Sequence, residues 1–327
     1  MKTRSLIQAL TAIALALASP ILAAQAFPNK PLTMTVAFTA GGASDSIARI
    51  MSKEMAVHLN QPVIVENITG VGGSLGVMKV ANAPADGYTM ITGSPLELVL
   101  APLGIAAAKN KPQDVRMVAH VGSTTTMLLV RKDLPVNTFE EFIALAKKKD
   151  TKPLAYGSVG IGSLYHLEGE KLSQLLGAEF IHAPYPGVAQ IIPALMGGTL
   201  DFAFMPIAGP FPGLVENGSL KALIVTSAEP SARLPKIPLA KSVKGFEDFV
   251  FNIWAGIQVH SKTPSTVVAA LHKSAYAALA NPEVKKALEA QGSVVAGPKS
   301  LVELDAFYAN EVAVYQAIAK SIKLVAQ

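Results

Sequence analysis

"LTMTVAFTAGGASDSIARIMSKEMAVHL", Leu32–Leu59, decides the fold class. Its opening "LTMTVAF" reads as a strand. Two glycines follow, Gly41 and Gly42, and then Ile47, Ile50, Met51, Met55 and Leu59 recur at three- and four-residue spacing. That is the apolar stripe of a helix, with Arg49, Ser52 and Lys53 on its other side. A strand ends in a turn with no basic side chain and opens into a helix. Helix N-termini present free N–H groups and the positive end of a dipole, so the turn could hold an anion; ordinary strand–helix connections look the same.

The unit repeats along the chain. "PVIVEN" (62–67) is a strand, "SLGVMKVANA" (74–83) a helix and "GYTMITG" (87–93) a strand, while "RMVAHVGSTTTMLLVRK" (116–132) holds one or two strands. "LAYGS", "EFIHAPY", "DFAFMP", "ALIVTS" and "FNIWAGIQVH" follow as strands, with helices at 164–176, 188–196 and 209–217 between them. Capping boxes at Thr138/Glu141 and Ser300/Glu303 open two helices. Thr263-Pro264 and Asn281-Pro282 place a capping residue before a proline, and Gly292 is a helix stop. The alternation predicts an α/β protein of mostly parallel sheets flanked by helices.

Of the 327 residues, 50% are hydrophobic and 16% charged, enough apolar material for a large core. The N-terminus has Lys2 and Arg4, an apolar stretch from Leu6 to Ala18, and small residues ending Ala24-Gln25-Ala26. This is the layout of a secretory signal peptide cleaved near Ala26, with an uncleaved anchor as the alternative. No later apolar run reaches the roughly 18 residues of a spanning helix. The formal charge of +5 includes the leader's Lys2 and Arg4, and the small remainder excludes a nucleic-acid partner. With no cysteine, thiol nucleophiles, iron–sulfur clusters and cysteine zinc sites are excluded. Export without cysteine points to a bacterial periplasm.

Three glycine loops stand before helices: "FTAGGASD" (38–45), "ENITGVGGSLG" (66–76) and "YGSVGIGSLYHL" (156–167). None matches a dinucleotide fingerprint or a P-loop, so no cofactor is expected. Gly72–Gly76 matches G-x-S-x-G, which makes Ser74 either a hydrolase nucleophile, with Asp201 and His260 as candidate partners, or a helix cap. No histidine pair has metal-ligand spacing. His58 reads as structural, and His166, in the first turn of its helix, reads equally well either way. Arginine is scarce after residue 26 (Arg49, Arg116, Arg131 and Arg233) and absent from the glycine loops. An anion would be met by amides, by water and by the hydroxyls of Ser44, Ser158 and Ser163.

Taken together, "FPNKPLTMTVAFTAGGASDSIARIM", "QPVIVENITGVGGSLG", "ADGYTM", "YGSVGIGSLYHLEGE", "PYPGVAQIIPALMGGTLDFAFM", "LKALIVTSAEPSARLP" and "NPEVKKALEAQG" resemble the Bug receptors, in family order. These are the periplasmic substrate-binding proteins of tripartite tricarboxylate transporters. The resemblance implies a two-domain periplasmic-binding-protein clamshell. Residues 1–26 would be the signal peptide, 27–124 plus 252–327 the first domain and 125–251 the second, with crossings near 124–126 and 250–252. The implied ligand is a small organic carboxylate delivered by a monomer to membrane permease subunits, with no catalytic residue, metal or nucleic acid. Its implied contacts from the first domain are Phe38, Thr39, Ala40, Gly41, Gly42, Ser44, Asp45 and Ser94. Those from the second are Ser158, Gly160, Ile161, Gly162, Ser163, His166, Pro184 and Met205.

The chain departs from the family pattern at Ala40, where a proline is usual, and at Ile68-Thr69, where Arg-Pro is usual. Met205 replaces an acidic residue that could meet an ammonium group, which argues for a dicarboxylate or aromatic acid over an amino acid. Two alternatives stand beside this reading: a secreted serine hydrolase using Ser74, and a receptor of the same fold that signals to a sensor kinase.

Overall fold

Strand β1 (Leu32–Val36) leads through the first glycine turn into helix α1 (Ala43–Leu59), then β2 (Val63–Asn67), α2 (Ser74–Ala81) and β3 (Thr89–Gly93). The computed structural model describes residues 27–148, 152–185, 187–322, 324 and 326, so the expected leader lies outside the described residues. β1 sits between β2 and β3 and is parallel to both, with Met34 opposite Val65 and Met90. After β3 comes a π-helical turn, Leu96–Leu100, running into the short helix α3 (Ala101–Gly104). Strand β4 then spans Val115–Arg131 without a break.

The second series is α4 (Phe139–Ala146), β5 (Leu154–Ser158), α5 (Leu164–Leu176), β6 (Phe180–Pro184), α6 (Val188–Met196), β7 (Phe202–Pro206), α7 (Phe211–Glu216) and β8 (Leu220–Val225). β5 lies between β6 and β7, parallel to both. The chain finishes with β9 (Asn252–His260), α8 (Ser265–Ala280), α9 (Pro282–Ala290), the two-residue β10 (Val294–Val295) and α10 (Leu301–Ser321).

The ladder runs β2-β1-β3-β9-β4-β7-β5-β6, with β8 and β10 also paired to β4. Parallel pairs, each joined through a helix, form its two ends. The middle is antiparallel, because β4 and β9 run through it in opposite directions. β4 pairs with β9 from Val115 to Thr125, and from Thr126 onward with β7 and β8. At Gly122 a Cβ would lie 2.6 Å from Val294 O, so only glycine lets β10 approach there.

One buried cluster holds Met34, Val36, Ile47, Met51 and Met55 with Leu271 of α8, and a larger one holds Met127–Val130, Phe142, Tyr156, Phe202 and Phe204. Each such side chain contributes about 1.5–3 kcal/mol by leaving water. Ser52, expected on the polar side of α1, is buried. α1 packs under α8 as well as on the sheet, and Ser274 Oγ of α8 donates to Met55 O at 3.3 Å. Among the described residues, no helix is long and apolar enough to cross a membrane.

Both expected capping boxes form, and Asn281 caps α9 by accepting from Glu283 N–H at 2.9 Å. Thr263 does not cap. Its hydroxyl donates to His260 O at 2.7 Å, and Pro264 occupies the cap position of α8. At α4, Thr138 Oγ1 accepts from Glu141 N–H at 3.2 Å. Thr138→Ala is expected to lower stability by about 1 kcal/mol, read as a shift of the urea midpoint at unchanged slope.

Candidate functional site

The first glycine turn is held from behind. Asp45, buried in the first turn of α1, takes the N–H of Gly41 at 2.9 Å, Arg49 through Nε and Nη2 at 2.9 and 3.0 Å, and Asn67 Nδ2 at 3.0 Å. Asn67, at the end of β2, also donates to Phe38 O at 2.9 Å. The Arg49 hydrogen bond above all, then the Gly41 N–H and Asn67, hold the Asp45 carboxyl at about 2 against the opposing effect of burial. Thr39, Ala40, Gly41 and Gly42 are exposed and Ser44 is half-buried. α1 has Gly42 as its cap with no side-chain bond, so among the described residues the N–H groups of Ala43, Ser44 and Asp45 have no acceptor. Ser44 therefore does not cap the helix. Three first-turn amides and the dipole's positive end are open to an anion.

The second loop is clamped in the same way. Ser158, fully buried at the end of β5, accepts from Gly160 N–H at 3.1 Å, donates to Gly160 O and lies 2.7 Å from His182 Nε2. Ser163 caps α5 by accepting from His166 N–H and donates to Gly160 O at 2.7 Å. His166 Nδ1 accepts the N–H of Gly162 at 3.1 Å, which requires that nitrogen to be unprotonated. The rings of His166 and His182 lie 4.3 Å apart. Burial pushes both below the usual histidine range, to about 4 for His182, where the neighbouring His166 adds to it. Tyr156 OH, beneath them, donates to Glu170 Oε1 at 2.6 Å. The N–H groups of Leu164 and Tyr165 have no acceptor among the described residues, and Ile161 is exposed.

Packed glycines connect the two loops. A Cβ on Gly73 would lie 3.4 Å from Phe38 Cζ, and one on Gly72 would meet Ile105 and Ala101. At the other end of that segment, a Cβ on Gly104 would lie 2.9 Å from Gly162 Cα. The chain of contact runs Phe38, Gly73, α3, Gly162. Two surface grooves, of about 460 and 540 Å³, lie elsewhere, beside α10 and beneath α4, and touch neither loop.

Several expected contact residues are already engaged. The Asp45 carboxylate and His166 Nδ1 hold the loops, as does the Ser158 hydroxyl. Ser94 donates to Glu97 Oε2 at 2.6 Å while its N–H reaches Glu97 Oε1 at 2.5 Å; burial pushes that glutamate up to about 7. Met205 is fully buried opposite Met127, within the core. Pro184 is exposed at the end of β6, in register with Ser158. Sequence reasoning missed Asn67, His182 and Glu97; the β5–β6 pairing that sets Tyr156 opposite His182 is visible only in the structure.

Ser74 does not have the geometry of a nucleophile elbow. It is buried with ordinary helical angles, φ −54° and ψ −35°, and the left-handed angles fall on Val71, Gly72 and Gly73. Its supposed partners are engaged elsewhere: Asp201 with Arg131 and Ala155 N–H, and His260 Nδ1 with Lys262 N–H.

Two sheet halves, each with a glycine turn opening a helix, make a mixed α/β fold shared with solved periplasmic binding proteins. The description "Tripartite tricarboxylate transporter family receptor" matches residues 47–324, and the chain belongs to that family, the Bug receptors. It is similar to the periplasmic binding protein BugD, at 29% identity and TM-score 0.77 over 92% of this chain and all of that one. Rpa4515 of R. palustris, solved with adipate, is 26% identical with TM-score 0.80, over 92% of this chain and 100% of that one. MatC of Rhodopseudomonas palustris, solved with bound malate, is 27% identical with TM-score 0.76, over 89% of this chain and 99% of that one. The family is one of periplasmic solute-binding receptors.

The first loop depends on one carboxylate. Because Asp45 is held below the ordinary 3.8, its stabilisation is present above that value and is lost as pH falls through about 2. Asp45→Asn is expected to lower stability by about 2 kcal/mol at pH 7. The gap to wild type should narrow in acid, with urea melts at pH 3 showing a clearly smaller difference than at pH 7.

Proposed function

We propose that this chain is an extracytoplasmic receptor that captures a small organic carboxylate between residues 39–44 and 158–163 and delivers it to the permease subunits of a tripartite transporter. The observation that carries the reading is the pair of clamped glycine loops. Each opens a helix whose first amides lack acceptors, and neither contains a basic side chain. In this reading residues 27–124 and 252–327 form one lobe, 125–251 form the other, and the lobes close on the ligand about β4 and β9. The partner change of β4 at Thr125/Thr126 supports that division. A leader cleaved near Ala26 would deliver the receptor to the periplasm as a monomer.

A dicarboxylate or aromatic acid is favoured over an amino acid. The relatives solved with malate and adipate hold dicarboxylates, and Met205, buried in the core, offers no acid to an ammonium group. A thermal-shift panel of malate, adipate, citrate, benzoate, glutamate and aspartate tests this. A ligand at about 100 times its dissociation constant adds about 2.7 kcal/mol and raises the melting temperature accordingly. Malate, adipate or benzoate is expected to shift it. Tight binding of glutamate or aspartate with no response to the other acids would overturn the preference, and a flat panel would overturn the carboxylate reading.

Ala43 allows a cleaner test of the amides. It is exposed at the first helical position, behind an extended Gly42, where proline is tolerated. Ala43→Pro removes one N–H and little else. Isothermal titration is expected to show about tenfold weaker binding of the acid that responds in the panel, for a lost hydrogen bond to an anion. Unchanged affinity would place the anion elsewhere.

A further inference from the structure

Three threonine hydroxyls gather where β4 changes partners. Thr226 Oγ1 lies 2.6 Å from Thr126 Oγ1 and 3.2 Å from Thr125 Oγ1, and reaches Thr126 O at 3.1 Å and Phe251 O at 3.2 Å. Backbone bonds pass through the same point. Thr226 N–H donates to Thr126 O and Phe251 N–H to Thr226 O, each at 2.9 Å. β4 at its partner change, the residue after β8 and the residue before β9 are thus joined at one knot. Tyr315 of α10 adds a hydrogen bond to Asn252 O, at the first residue of β9.

Helix α5 sends Glu168 into this knot. The side chain is fully buried and hydrogen-bonded to Thr126 Oγ1, and its Oε2 has no partner. Tyr165 of α5 and Tyr315 of α10 lie in its field, and Glu311 of α10 lies in that of Tyr315; no cation acts on it among the described residues. Burial holds its carboxyl well above the usual carboxylate range. A proton there gives the hydroxyls one consistent order. With the proton on Oε1, Glu168 would donate to Thr126, Thr126 to Thr226, and Thr226 to the carbonyl of Phe251, which can only accept. A charged Glu168 would reverse that order and leave an anion buried without compensation.

We propose that Glu168 is a positioning residue for closure: it ties α5, and the ligand loop at the N-terminus of α5, to the point where the crossing strands bend, so that loop and hinge move as one body. The inference rests on the two-lobe reading above. Hinge motion concentrates angle changes in a few residues. A loop tied to that point by a buried hydrogen bond follows the bend, whereas one held by apolar packing alone can slip against it.

The chain has no cysteine, so Val57→Cys on α1 and Met196→Cys on α6, both at exposed positions, provide unique sites for spin labels. Pulsed-EPR distance distributions are compared in the ligand-free protein at neutral pH, with circular dichroism and thermal melts confirming that each variant is folded. Glu168→Gln keeps a neutral donor and is expected to reproduce the wild-type distribution. Glu168→Leu fills the space without a hydrogen bond and is expected to broaden and shift it, as is Thr126→Val. If Glu168→Leu fails to fold, Thr126→Val against Glu168→Gln decides. Distributions for Glu168→Leu and Thr126→Val that superimpose on wild type would overturn the tie, and so would a Glu168→Gln distribution as broad as that of Glu168→Leu. A wild-type distance that no acid of the carboxylate panel changes would instead overturn the two-lobe reading.

Discussion

Backbone N–H groups cannot be aimed independently of the chain that carries them. A site built from them has to be clamped from behind, and the clamps must satisfy some amides while leaving others open. Both glycine loops meet this constraint with buried side chains. Asp45 takes the N–H of Gly41, and His166 Nδ1 takes that of Gly162. The two groups suit their positions. Asp45 is held ionised by Arg49 and so accepts strongly. His166 is held neutral by burial and so keeps a lone pair for its amide. Ionised histidine there would lose the Gly162 bond, and a neutral aspartic acid would weaken the ion pair with Arg49.

Much of the local architecture was legible in the sequence because its causes are local. The start of α5 at Ser163 and the capping boxes of α4 and α10 are contacts across three residues. The alternation of strands and helices is likewise a local signal. β4 was less legible, because Gly122, Ser123 and three threonines look like an interruption. The structure keeps them extended: Gly122 admits β10, and Thr125 and Thr126 face other hydroxyls. The π-helical turn after Ser94 follows from Glu97 folding back onto Ser94 in a fully buried setting, which no periodicity announces.

The candidate site was legible as loops but not as roles. Glycines before helices marked three loops, and the resemblance to the Bug receptors selected two of them. Whether a given polar atom faces outward or holds the fold depends on partners far away in the chain. Asn67 reaches Asp45 across 22 positions, Ser158 reaches His182 across 24, and Thr126 reaches Thr226 across 100. Side chains that look like ligand contacts in the sequence are therefore found supporting the amides. The hydrolase pattern around Ser74 has a similar explanation: its glycines allow close approach to Phe38 and α3, and that spacing happens to match an elbow.

A receptor that must release its cargo gains from this arrangement. A bidentate arginine gives a strong, charge-assisted contact in any lobe arrangement that leaves it exposed, so it would hold an acid in the open state as well. In the proposed site, amides at two helix ends would act together only when both loops face the same volume, making their combined contact specific to a closed arrangement. Ligand-driven closure requires such differential contact between states. The energy of capture then depends on how rigidly each loop is joined to the element that moves it. Near the first loop this junction is the Asp45–Asn67 contact to β2. For the second, the proposed junction lies one turn into α5, where buried Glu168 meets the threonines of β4.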